Sequence, residues 1–173
     1  GNGGGYHGGT LSAGGTSFDI KNPTGNVAQD VINALIPTGT PAYGPELSVS
    51  FDDPVGSLPK LARLDRAIST ASLSAEQKQR YIAIDTKISC EFCCSAPAVI
   101  DGSGRDLCGC SHSAAIRGLT KYLITTKPAD EWSDDAIYAE LTRYKSQWYP
   151  KNMVEKGVAL VSNGLELNAP ALN

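Results

Sequence analysis

Long apolar runs are missing from this 173-residue chain. No stretch approaches the ~18–20 consecutive apolar residues that cross a bilayer, so nothing in it reads as transmembrane. A basic excess is missing too. The formal net charge is −3. A nucleic-acid-binding face is ordinarily basic, so the charge argues against a nucleic-acid partner. There is no Cys-x-x-Cys-His, which leaves out the usual covalent attachment of a c-type haem. No Gly-Lys-Ser/Thr follows the glycine-rich start, so that start is not a phosphate-binding loop. Paired acid/base groups and nucleophile constellations are also wanting. A Cys–His hydrolase would have only His112 as base, with nothing to orient it. An enzyme reading therefore ranks third, behind the two non-enzymatic ones given below.

What is present is unevenly distributed. Residues 1–56 carry one lysine and five acids, and the other 14 basic and 13 acidic residues lie in 57–173. The length suits one domain with appendages and allows a core without staples. The expected division is an arm over 1–56, a helical domain over 57–163 and a tail over 164–173.

The arm is the most glycine-rich part, with nine of the 18 glycines in residues 1–25. Such composition loses too much backbone entropy to fold alone. Tyr6, His7, Leu11, Phe18 and Ile20 punctuate the glycines, and Thr16 to Ile20 has the makings of a short strand. An extended arm that adds a strand to a neighbouring subunit has this pattern, so self-association through residues 1–25 is expected. The chain begins at Gly1 with no charged-then-apolar leader. The expectation drawn from this is a processed, extracytoplasmic or extracellular protein.

Helical periodicity dominates the remainder. Asn26 caps a predicted helix in which Val27, Val31, Ala34 and Leu35 share a face, and Pro37 stops it. Glu46 to Asp52 alternates Leu47, Val49 and Phe51 with polar residues and predicts a strand, closed by a turn at Asp52-Asp53-Pro54. From Ser57, Leu58, Leu61, Leu64, Ala67 and Ile68 form an apolar stripe, with Pro59 in the first turn. Ser74 and Gln77 make a capping box, opening a helix expected to run to about Ser89. Ser111 to Ile124 reads as a helix with Ile116, Leu119 and Leu123 on one face. Ser133 caps another, with Asp134 and Asp135 placed for the helix dipole. In it Ile137, Leu141, Tyr144 and Trp148 form a core stripe. Met153, Val154, Val158 and Val161 suggest a last helix ending near Gly164. The tail shows no pattern. The fold class expected is mainly α, a small helical domain with a Gly-rich extended arm and one or two short strands.

All five cysteines fall in one 21-residue window, as Cys90-Glu91-Phe92-Cys93-Cys94 and Cys108-Gly109-Cys110-Ser111-His112. Cys-x-x-Cys puts two sulfurs on one turn, and Cys-x-Cys presents two more from the opposing segment. Four thiolates from two such hooks suit Zn²⁺, Cu(I) or an iron–sulfur cluster. Cys90, Cys93, Cys108 and Cys110 are the primary ligand candidates, with Cys94 and His112 as secondary ones. Five sulfurs and an imidazole exceed the need of one structural Zn²⁺, which favours a thiolate-bridged Cu(I) site or a cluster. The segment between the hooks, with Asp101-Gly102-Ser103-Gly104-Arg105-Asp106, lacks the full ligand series of a calcium loop and reads as a turn that joins them. Two alternatives stay open. In an exported protein the cysteines form disulfides, with a connectivity that sequence does not fix. Or one of them is a redox or nucleophilic thiol.

Cys108-Gly109-Cys110, with its nearby histidine and upstream paired cysteines, resembles the bacterial secreted or lipid-anchored proteins named for a Pro-Cys-Tyr-Cys-Gly-Cys motif. The likeness covers only these few residues. Leu107 stands where that family has Cys-Tyr, and the order of elements differs. The resemblance implies an extracytoplasmic metal site using Cys108 and Cys110. The leading expectation is a cysteine-rich metal-binding protein. The second is a structural subunit of an extracellular self-assembling filament, with disulfides as staples.

Overall fold

The computed structural model describes residues 15–91 and 95–173. Tyr6, His7 and Leu11 of the arm, and Phe92, Cys93 and Cys94 of the first cysteine hook, lie outside the described residues. Among the described residues there are eight α-helices and only two isolated β-bridges. The chain is mainly helical.

The helix starts follow from local chemistry. α1 (Val27–Leu35) begins where the Asn26 side chain accepts from the Gln29 N–H. α4 (Ala75–Asp85) carries the full reciprocal capping box of Ser74 and Gln77. α6 (Asp134–Trp148) starts on Ser133, whose hydroxyl accepts from the Ala136 N–H. Each cap satisfies a backbone donor that the first helical turn leaves without a partner. α3 (Pro54–Ala67) starts three residues earlier than the apolar stripe indicates. Asp53 accepts from the Gly56 N–H and Pro54 takes the first helical position, so Pro59 falls inside the helix. α5 (Ser111–Thr126) and α7 (Pro150–Ser162) complete the long helices.

The predicted strand at Glu46 to Asp52 is not formed. Gly44–Leu47 is instead a one-turn helix, α2, opened by Pro45 and ended by Ser48 in the left-handed region at φ 56°. Phe51 donates to the Gly39 carbonyl. Val49 and Phe51 are buried all the same. Alternation marked the right side chains for the core, but no neighbouring strand exists to pair with them.

The end of the chain has an unforeseen role. Leu167, Ala169 and Leu172 are buried, the last two in the short α8 (Ala169–Leu172). The Phe18 N–H donates to the Leu167 carbonyl and the Ala169 N–H to the Thr16 carbonyl, while Ser17 Oγ donates to Glu166. Thr16 to Phe18 thus pairs with the tail of its own chain. Phe18, Val31, Tyr43 and Leu172 belong to the same core as Ile116, Leu119 and Tyr144.

The tightest helix contact is α3 on α5, and it is made possible by Gly118. A Cβ at that position would sit 2.3 Å from the Leu61 carbonyl oxygen and 2.8 Å from the Asp65 nitrogen. Both are backbone atoms, which cannot swing aside. Gly118→Ala is expected to lower stability by about 1–3 kcal/mol through overpacking, read as a lower denaturation midpoint with an unchanged slope.

Glu140 is fully buried in the core. Tyr43 donates its hydroxyl to Glu140 Oε2 at 2.6 Å, and the nearest cation, Arg143, stands 3.6 Å from Oε1. Burial pushes this carboxyl up to about 7, against the opposing pulls of Arg143 and Tyr43. The folded chain therefore keeps a proton that the unfolded chain has lost between about pH 4.5 and 7. Stability falls as pH rises through that window, by up to about 3 kcal/mol. Urea denaturation of Glu140→Gln should show a smaller fall between pH 4.5 and pH 8 than the parent chain. An equal fall would place the titration elsewhere.

Candidate metal centre

Two segments bring the cysteines together. α4 ends at Asp85, and after a turn at 86–87 the chain passes through Ile88 to Cys90 without regular structure. The Val99 N–H donates to the Ile88 carbonyl at 2.8 Å and the Leu107 N–H to the Val99 carbonyl at 3.0 Å. These two bonds lay the 88, 99 and 107 stretches side by side, which carries Cys108 back to Cys90. The turn between them is built on Asp101. Its Oδ1 accepts from the Ser103 N–H, the Ser103 hydroxyl and the Arg105 N–H. Gly104 adopts φ 87°, which only a residue without a Cβ takes up at no cost. Hydrogen bonds from Ser103 and Arg105 hold the Asp101 carboxyl below its ordinary range. That oxygen is engaged in closing the turn.

The Sγ atoms of Cys90, Cys108 and Cys110 lie within 4.8 Å of one another. Cys90 and Cys108 are 5% exposed and Cys110 is half-buried. Cys110 is also the N-cap of α5, where its sulfur accepts from the Ser113 N–H at 3.4 Å. Among the described residues, the three-sulfur group does not take in His112. The His112 ring instead packs against Trp148 and Tyr149, with centroids 5.2 and 5.1 Å away. Burial lowers its pKa and favours the neutral imidazole. Cys93 and Cys94 lie outside the described residues.

The sulfurs are not all in one oxidation state. Cys90 and Cys110 are thiols, while Cys108 is disulfide-bonded. A disulfide sulfur is a poor ligand, because the thiolate is what binds metal. The closeness of the three sulfurs is compatible with metal binding, for which Cys108 would have to be in its reduced form.

Two ionic anchors hold the hooks, and neither was visible as such in the sequence. The first grips Glu91, the residue after Cys90. Its carboxylate meets Lys145 of α6 at 2.7 Å and Lys156 of α7 at 2.6 Å. Burial pushes the Glu91 carboxyl up, but the hydrogen bonds and charges of the two lysines outweigh it and hold it below the ordinary range. Burial likewise lowers the Lys145 pKa, opposed by Glu91 and, more weakly, by Cys90. Glu91 and Ser95 both have positive φ, 77° and 50°. Strained non-glycine positions of this sort persist where surrounding contacts enforce them. Here the two lysines supply that enforcement for Glu91.

The second anchor grips Cys108. Arg117 of α5, 3% exposed, donates to the Cys108 carbonyl at 2.7 Å and to the Val99 carbonyl at 3.3 Å. Its Nε and Nη2 each approach Asp65 Oδ2 at 3.0 Å. Lys121 meets the other oxygen of Asp65 at 2.7 Å. One guanidinium thus ties α3, α5 and the second hook together. The sequence signal was a charged residue set between Ile116 and Gly118 in a helix whose other neighbours are buried.

Arg117→Met should destabilise the chain by about 3–5 kcal/mol, because it removes one partner from a buried ionic group and leaves the Cys108 carbonyl without its donor. Chemical denaturation measures this. A loss under ~1 kcal/mol would mean that Lys121 alone satisfies Asp65. Comparison of the chain with protein-family models, with curated proteins and with solved structures finds no match to any, so its function is argued from the chemistry of this centre.

Proposed function

We propose that this protein is a non-enzymatic binder of a soft metal ion or small cluster, using the thiolates of Cys90, Cys108 and Cys110. Cys93 and Cys94 are the further sulfur ligands and His112 is the adjacent neutral imidazole. The observation that carries this reading is the convergence of three sulfurs within 4.8 Å. A metal–sulfur bond of ~2.3 Å in a tetrahedral site separates the sulfurs by about 3.8 Å, which fits inside that spread. Zn²⁺, Cu(I) and iron–sulfur clusters are the cargoes whose softness matches such a donor set. Several thiolates around one ion carry net negative charge. Lys145, buried and paired with Glu91, places a cation on the residue that follows Cys90.

The test is metal analysis of the chain after complete reduction under anaerobic conditions. About one equivalent of Zn²⁺ or Cu(I) should be retained per chain through gel filtration, with thiolate-to-metal absorption for Cu(I). The Cys90→Ser/Cys110→Ser double variant should retain none. Full titration of all five thiols with no metal retained would refute the reading.

A further inference from the structure

Two of the three gathered sulfurs, those of Cys90 and Cys110, are thiols and lie within 4.8 Å of each other. We propose that Cys90 and Cys110 form a redox-active dithiol pair, which closes to a disulfide by exchange with a small-molecule disulfide such as oxidised glutathione. The step uses no metal and leaves the bond of Cys108 in place, so it stands apart from the metal-binding reading.

The distance is within reach of a side-chain rotation. A disulfide bond is ~2.0 Å long, so the sulfurs have at most about 2.8 Å to close. One step between staggered χ1 rotamers moves a cysteine sulfur by about 3 Å. The backbones on both sides are held. Glu91, next to Cys90, is gripped by Lys145 at 2.7 Å and Lys156 at 2.6 Å. The Cys108 carbonyl, two residues before Cys110, is gripped by Arg117 at 2.7 Å. The closure therefore falls to side chains already placed beside each other, which raises the effective concentration of one thiol at the other.

Cys110 is the sulfur that meets the oxidant. It is half-buried, whereas Cys90 is 5% exposed. On its N-terminal side stands Gly109, where no atom lies within 4 Å of the place a Cβ would take. Cys110 Sγ accepts from the Ser113 N–H and donates to the Ser113 hydroxyl, both at 3.4 Å. Sulfur is a weak donor and acceptor, so these contacts hold the rotamer less firmly than an oxygen cap would.

The reaction balances in two exchanges. The Cys110 thiolate attacks one sulfur of the small disulfide. A mixed disulfide forms, and the other half leaves as a thiolate that takes the Cys110 proton. The Cys90 thiolate then attacks Cys110 Sγ. The Cys90–Cys110 bond forms, and the second small thiolate leaves and takes the Cys90 proton. Two electrons and two protons pass from the pair to the oxidant, which becomes two thiols.

The test uses the full chain, stripped of metal with a chelator and equilibrated across graded ratios of oxidised to reduced glutathione. It is quenched with N-ethylmaleimide in denaturant, and fragmentation mass spectrometry reads each cysteine. Cys90 and Cys110 should lose the label together, with fragment ions joining them and no glutathione attached. In Cys90→Ser, Cys110 should carry glutathione, the intermediate that Cys90 would have resolved. In Cys110→Ser, half-loss of the Cys90 label should need about tenfold more oxidised glutathione, because the intramolecular partner is gone. Both labels kept at the most oxidising ratio, or Cys110 joined to Cys108 instead of Cys90, would overturn the proposal. So would a Cys90 label lost equally easily in Cys110→Ser. If either variant fails to fold by circular dichroism, the parent chain decides alone: ions joining Cys90 to Cys110 support the pair, and their absence overturns it.

Discussion

The buried guanidinium of Arg117 is the contact on which the centre most depends. Removing a guanidinium from water is costly unless every donor is used. Here its donors are met by Asp65 and by the carbonyls of Cys108 and Val99, with Asp106 at 3.3 Å. That requirement fixes the second hook against α5, and α5 in turn lies on α3 where Gly118 lets the backbones close. The first hook obeys the same rule with opposite sign. Glu91 is a partly buried carboxylate, and Lys145 and Lys156 converge on it from two helices. Three sulfurs meet because two charge-satisfaction problems, one on each hook, are solved at neighbouring places.

This arrangement explains how soft ligands are held without an elaborate sheet. Glu91 and Ser95, on either side of Phe92-Cys93-Cys94, both stand at positive φ. Such backbone is stable only when something else specifies it. Ionic anchors on Glu91 and the Cys108 carbonyl, and hydrogen bonds from Val99 and Leu107, supply that specification. The least buried of the three sulfurs is on Cys110, which caps α5.

Much of the fold was legible because its signals are local. Asn26, Ser74 with Gln77, and Ser133 each announce a helix through a side chain that reaches only three residues ahead. The segment at Glu46 to Asp52 misled because alternation reports which side chains are buried, and it is silent on whether a partner strand exists. The tail was opaque because the burial of Leu167, Ala169 and Leu172 is defined by residues far away in sequence, including Thr16 and Phe18. The centre divides along the same line. Spacing announced the cysteines, and the joining turn at Asp101 followed from composition. The anchors did not, since Arg117 meets Asp65 across 52 positions and Lys156 meets Glu91 across 65. His112 was close in sequence to the second hook, but helix geometry and the rings of Trp148 and Tyr149 draw it aside.

The central claim is that the sulfurs form one coordination sphere. X-ray absorption on the reduced chain, loaded with one equivalent of Zn²⁺ or Cu(I), tests it most directly. The account predicts a first shell of at least three sulfur scatterers at ~2.3 Å from the ion. A shell made only of oxygen and nitrogen would contradict it.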